Sequence, residues 1–185
     1  MKTILVTGGT GFIGSHTCVE LIKENYNVIV VDNLYNSKEV VLDRIKTITG
    51  IRPKFYNCDI LDREGLETIF KENKIDAVIH YAGYKAVGES VEKPLVYYEN
   101  NIAGSIVLYE VMSKYNCKTI VFSSSATVYG DPATLPIKED FPLSTTNPYG
   151  TTKLFNEIIL QDVYTSDKDW SILLLRYFNP IGASK

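Results

Sequence analysis

Histidine is scarce in this 185-residue chain, which holds only His16 and His80. Neither stands in a His/Cys/carboxylate group with metal-ligand spacing, so a zinc site, or any metal site, is not expected. Cysteine is scarce too. Cys18, Cys58 and Cys117 lie far apart and are odd in number. They read as reduced core or surface thiols of a cytosolic protein, not as a disulfide frame. No apolar run approaches membrane-spanning length. The opening Met1-Lys2-Thr3-Ile4-Leu5-Val6-Thr7-Gly8-Gly9 has one lysine and an apolar run too short for a signal peptide, broken at once by glycines. A cytoplasmic protein is expected. Charge of either sign is not in excess: 19 basic against 22 acidic residues give a formal net charge of −3. Composition therefore gives no electrostatic reason to expect nucleic acid or an anionic membrane as partner.

Repeats and low-complexity segments are absent as well. What remains is an ordinary globular composition, 45% hydrophobic and 22% charged, at a length that suits one well-packed domain. Short apolar bursts at residues 4–6, 28–31, 55–56, 77–79, 119–122 and 171–175 read as strands. Their weak alternation suits strands covered on both faces of a parallel sheet. Helices are expected at residues 12–24, 40–49, 63–73, 94–115 and 148–164. The β-α alternation predicts an α/β fold, a doubly wound parallel sheet with right-handed crossovers. The longest stretch without a clear period, roughly residues 125–147, contains Pro132, Pro136 and Pro142. It follows a strand, so it starts at the sheet's carboxyl edge, where such folds bind ligands.

Gly9-Thr10-Gly11-Phe12-Ile13-Gly14 satisfies G-x-G-x-x-G directly after the first strand and opens the first helix. Glycines there permit a tight turn and let backbone N–H groups approach a pyrophosphate, whose charge the helix N-terminus favours. Asp32 ends the second strand, near the spacing expected of a carboxylate that binds the adenosine ribose. It would repel a 2′-phosphate, so NAD is favoured over NADP; the alternative is that Asp32 only starts a turn. Tyr149-Gly150-Thr151-Thr152-Lys153 is Y-x-x-x-K, and i and i+4 share a helix face. A free phenol titrates near pH 10. To act as a base near neutrality it must fall by about 3 pH units, roughly 4 kcal/mol, supplied by Lys153 and the nicotinamide cation together. Tyr81…Lys85 and Tyr164…Lys168 match the same spacing. Tyr81 ends a strand and Tyr164 closes a helix, whereas Tyr149 opens one after the long loop. The fifth strand ends in Ser123-Ser124-Ser125-Ala126-Thr127. Alone, such serines more often satisfy their own loop; beside Tyr149 and Lys153 they suit a substrate oxygen.

In this order these features resemble the extended short-chain dehydrogenase/reductase family with its Rossmann-type NAD-binding domain. Three longer stretches are similar to its UDP-glucose 4-epimerases: residues 82–90 (AGYKAVGES), 123–130 (SSSATVYG) and 175–183 (LRYFNPIGA). The resemblance implies that Ser125, Tyr149 and Lys153 are catalytic. It places Gly8, Gly11, Phe12, Ile13, Gly14, Asp32, Asn33, Asn36, Ser37, Asp59, Ile60, Tyr81, Ala82, Gly83, Lys85, Asn100, Ser123, Tyr177 and Phe178 against NAD, with Tyr149 and Lys153. Lys85, Ser125, Ala126, Thr127, Tyr149, Phe178 and Asn179 would meet a UDP-sugar. The implied chemistry is transient oxidation at C4. Tyr149 takes the 4-hydroxyl proton, hydride passes to NAD, and its return to the opposite face inverts C4. Ala126-Thr127 stands where the related 4,6-dehydratases carry Asp-Glu, which disfavours a dehydratase. Another nucleotide-sugar epimerase or decarboxylase fits too. A non-catalytic NAD-binding sensor or scaffold is the reading from another class.

Family members continue for well over a hundred residues beyond the stretch matched here, with a smaller substrate domain that holds most of the uridine diphosphate. The resemblance implies that this domain is missing from the 185 residues, which are expected to turn over sugar nucleotide poorly or not at all. The resemblance also implies a homodimer in the full-length enzyme, paired through the helices at 94–115 and 148–164. Leu108, Val111, Met112, Ile158, Ile159 and Val163 are their candidate apolar faces.

Overall fold

The structure, a computed structural model, describes residues 1–182; Ala183, the end of the third epimerase-like stretch, lies outside the described residues. Six strands form one wholly parallel sheet: β1 (Thr3–Thr7), β2 (Asn27–Asp32), β3 (Lys54–Asn57), β4 (Ala77–His80), β5 (Thr119–Ser125) and β6 (Ser171–Tyr177). Their spatial order is β3-β2-β1-β4-β5-β6. The order reverses between β1 and β4, which opens a crevice outside the carboxyl ends of these strands.

Alternate residues of the central strands enter different cores. Ile4, Val6, Val28 and Val30 pack with Cys18, Val19 and Ile22 of α1 (Phe12–Lys23) and with Leu42 and Ile45 of α2 (Val40–Thr49). Leu5, Ile29, Val31 and Val78 face the other core. There they meet Leu66 and Phe70 of α3 (Arg63–Glu72), Leu108 and Met112 of α6 (Gly104–Lys114) and Leu160 of α7 (Pro148–Ser166). Both faces are apolar because both are covered, hence the continuous runs in the sequence. β6 departs from that expectation. It is an edge strand with Leu173 54% exposed.

The helix expected at 94–115 is broken in the structure. A short α5 (Pro94–Tyr98) leads into a π-helical turn (Glu99–Ala103) and then α6. The extra residue in that turn buries Asn100 and Asn101. Gly104 follows because a Cβ there would lie 2.7 Å from Ile60 Cγ1. A further helix, α4 (Val87–Glu92), precedes it. The stretch after Ser125 is not wholly irregular, since Ala126–Tyr129 form one 3-10 turn. Leu108, Val111 and Met112 are fully buried inside the domain, while Ile158 is exposed. The first three are thus core, not an open face. Ile159 and Val163 pack, partly buried, against the same core.

Candidate active site

A cleft of about 800 Å³ follows the carboxyl edge of the sheet. Its floor is the glycine bend. Gly8 adopts φ +68°, and a Cβ on it would lie 2.7 Å from the backbone nitrogen of Ala82. A Cβ on Gly14 would lie 2.3 Å from the Gly8 carbonyl oxygen, so α1 can approach the strand this closely only with glycine there. Gly11 is the N-cap of α1 and no side chain caps it, so the first-turn N–H groups face the cleft mouth. This is a cradle of pyrophosphate chemistry built from the chain's own backbone.

Asp32 serves two structural ends at once. One carboxylate oxygen accepts from the Thr10 N–H (3.2 Å), fixing the glycine bend. The other accepts from the Leu34 N–H (2.9 Å) and the Ser37 hydroxyl (3.1 Å). It therefore does start a turn, with Leu34 at φ +58°, and it also lines the cleft. Ser37 and Asp59 do not line the cleft. Ser37 bonds to Thr10 Oγ1 (2.6 Å) behind Asp32, and Asp59 accepts from Asn33 Nδ2 (2.8 Å). The remaining expected cofactor positions, Gly8, Gly11, Phe12, Ile13, Gly14, Asn33, Asn36, Ile60, Tyr81, Ala82, Gly83, Lys85, Asn100, Ser123, Tyr177 and Phe178, all line it. So do Ala126, Thr127 and Asn179, on the substrate side of the expectation.

Tyr149, Lys153 and Ser125 converge at the end of the cleft beside β5. Asn147 caps α7 by accepting from the Gly150 N–H (2.9 Å), and Pro148 takes the first helical position. Tyr149 and Lys153 then fall on one face, with the ammonium 5.9 Å from the phenol ring centroid and 5.0 Å from that of Phe122. Lys153 Nζ donates to the Ser123 carbonyl (2.7 Å). Burial pulls the ammonium pKa down to about 8. Burial pushes the Tyr149 phenol up, and the Ser125 hydroxyl, hydrogen bonded to it, offsets part of that rise. Burial thus drives the two pKa values apart, the ammonium down and the phenol up, and the chain's own groups do not by themselves lower the phenol. Ser125 Oγ accepts from the Thr127 N–H (3.2 Å) and hydroxyl (3.0 Å), capping the 3-10 turn, and its own proton remains for the phenol. The local reading of this serine holds, and its hydroxyl also stands at the phenol.

The other two Y-x-x-x-K pairs are engaged differently. Tyr81 hydrogen bonds Thr17 (2.9 Å) and the Tyr177 hydroxyl (3.2 Å). Tyr164 is exposed beneath Lys168, whose ammonium is 4.2 Å from its ring centroid. Buried polar relays brace the edge. The Ala82 N–H donates to Thr7 Oγ1, Thr7 O–H to His80 Nδ1, His80 Nε2–H to Ser105 Oγ, and Ser105 O–H to the Asn101 carbonyl. This order fixes the tautomer, and desolvation holds the His80 pKa down at about 3. Behind Ser125, the fully buried Glu157 accepts from Ser124 Oγ (2.5 Å) and from Arg176 Nε and Nη2 (3.0 and 2.7 Å). Sequence reading missed these braces, and it missed Tyr35, Cys58, Tyr84 and Ile137 on the cleft wall. Among the described residues no group of three or more His, Cys, Asp or Glu could hold a metal, and no helix is long and apolar enough to cross a membrane.

A doubly wound sheet with a glycine-lined cleft that ends in a tyrosine, lysine and serine defines a dinucleotide-binding domain of the short-chain dehydrogenase class. More particularly, the chain belongs to the NAD dependent epimerase/dehydratase family, which matches residues 4–185. It is 62% identical over 180 residues to a UDP-glucose 4-epimerase of Bacillus subtilis (strain 168), covering 97% of this chain and 53% of that protein. It is 58% identical to UDP-glucose 4-epimerase 2 of Arabidopsis thaliana, covering 98% and 53%. Among solved structures, UDP-glucose 4-epimerase from Bifidobacterium longum in complex with NAD+ and UDP superposes with a TM-score of 0.97 at 57% identity, covering 99% of this chain and 55% of that one. The chain thus spans about half the length of these relatives.

Proposed function

We propose that the chain is the cofactor-holding and catalytic half of an NAD-dependent UDP-glucose 4-epimerase, a cytoplasmic enzyme that interconverts UDP-glucose and UDP-galactose. The convergence of Tyr149, Lys153 and Ser125 on one cleft wall carries the reading. The glycine cradle and Asp32 fit the pyrophosphate and adenosine ribose of NAD, with Asn33, Asn36 and Lys85 along the same walls. NAD, when bound, supplies a reversible hydride acceptor for C4 of the sugar. Tyr149 holds and returns the proton of the 4-hydroxyl. Lys153 stabilises the phenolate by its charge, and Ser125 orients the sugar oxygen and passes the proton. Phe178 and Asn179, exposed just after β6, suit the sugar-nucleotide side of the cleft. A smaller substrate domain, lying outside these residues, completes the uridine diphosphate pocket in the full enzyme, and the full enzyme pairs as a homodimer. The half-length match to the relatives supports that division.

The test is an epimerase assay on the chain beside calorimetric titration with NAD. Turnover of UDP-galactose is expected to be far below that of a complete epimerase. Tyr149→Phe should remove what remains, by roughly the 100-fold or more that a positioned acid–base group contributes, and leave NAD affinity intact. Turnover unchanged in Tyr149→Phe would leave an NAD-binding scaffold as the better reading.

A further inference from the structure

Two tyrosines outside the expected site face each other at the cleft. Tyr35 follows β2 and Tyr84 follows β4, their ring centroids are 4.6 Å apart with planes tilted by 38°, and both line the same cleft. The sheet order puts β1 between these strands, and the glycine bend follows β1. Two strand spacings, about 10 Å, separate the loops after β2 and β4. The ring pair therefore joins the loops on either side of the strand that leads into the glycine bend, within the cleft that the bend also lines.

The two sides of the bridge differ in stiffness. Tyr84 is anchored: its N–H donates to Asn101 Oδ1 (2.8 Å), its carbonyl accepts from Asn101 Nδ2 (2.9 Å), and its ring meets the buried Tyr97 edge-on at 5.7 Å. Tyr35 is 62% exposed and rests on a local turn, its N–H donating to Asn33 Oδ1 (3.0 Å). One side is a post and the other a latch that opens toward solvent. We propose that Tyr35 and Tyr84 form an aromatic strap across the dinucleotide, which retains it through repeated oxidation and reduction. The inference rests on the NAD reading above. An epimerase regenerates its cofactor each cycle, so release is loss of function and a strap slows it without altering the chemistry. An aromatic pair of this geometry is worth enough to slow release several-fold.

The experiment is displacement of NAD from the chain by a stopped-flow chase, with four proteins compared. Tyr35→Ala is expected to release NAD three- to tenfold faster, on the order of one aromatic contact. Tyr84→Leu should match it, and Tyr35→Phe should keep the parent's rate because the ring, not the hydroxyl, forms the strap. Release from Tyr35→Ala within twofold of the parent overturns the strap and leaves the NAD site standing. Equal acceleration in Tyr35→Phe also overturns it. Failure of the parent chain to bind NAD at all overturns the cofactor reading and the strap together.

Discussion

Lys153 is 6% exposed, and burial lowers its pKa from 10.5 to about 8. A group whose folded pKa lies below its unfolded value carries a penalty. That penalty is fully present below the folded pKa and fades as pH climbs to the unfolded one. Between about pH 8 and 10.5 the unfolded chain still binds a proton that the folded chain has released, so this group makes stability rise with pH. At 1.36 kcal/mol per pH unit the penalty is about 3 kcal/mol at neutral pH and roughly 1 kcal/mol near pH 10. Lys153→Met keeps the unbranched stem and deletes the charge. It also strips the Ser123 carbonyl of a donor, a pH-independent loss of about 1 kcal/mol. Urea denaturation of both proteins should therefore show the methionine variant gaining on the parent at neutral pH. That advantage should shrink by about 2 kcal/mol toward pH 10. The difference between the proteins is the readout, since burial raises the pKa of Cys58, Cys117 and Tyr149 and so weakens both chains in alkali. A pH-independent difference would refute the argument, because it would mean that burial does not cost the ammonium its proton.

Arg176→Met leaves the Glu157 carboxylate buried without its cation and should cost about 3–5 kcal/mol in denaturation. Adding Glu157→Met should restore most of it, and a double variant as unstable as the single one contradicts the reasoning. Asp32→Asn removes the charge that would repel a 2′-phosphate. The preference for NAD over NADP in calorimetry should narrow by roughly tenfold, and an unchanged ratio would show that Asp32 acts only on the turn.

The strands were legible because both faces of the sheet are covered, so apolar runs such as Val28–Val31 mark strands whichever face each residue takes. The glycine bend was legible because its requirement is local: no side chain fits at Gly8 or Gly14. The break in the helix at Glu99–Ala103 was not. Its cause is the burial of Asn101, whose partners Tyr84, Thr152 and Asn156 lie 17 to 55 residues away. α4 was hidden for a similar reason, since Val87 and Val91 are exposed and its buried residue is Ser90, whose hydroxyl accepts from the Tyr149 N–H (3.2 Å). Ser37 and Asp59, which the resemblance places against the cofactor, bond to the cleft's surrounding residues, Ser37 to Thr10 and Asp59 to Asn33, and such side-chain pairings are not written in the spacing of a motif.

Helix α7 shows why the site and the fold cannot be separated. Its buried residues include Thr152, Lys153, Asn156 and Glu157, and Leu160 is its one fully buried aliphatic side chain. An apolar stripe would let the helix rotate or slide by small steps at little cost. Polar partners do not, because each has one geometry. Asn156 donates to the Asn101 carbonyl (2.8 Å) and accepts from the Tyr109 hydroxyl (2.8 Å), Lys153 reaches the Ser123 carbonyl, and Glu157 binds Ser124 and Arg176. Every one of these would become a buried unsatisfied group if the helix shifted by a residue, at about 1–3 kcal/mol each. The interactions that weaken α7 as a hydrophobic helix are therefore the ones that fix its register, and the register is what sets the phenol of Tyr149 beside Ser125.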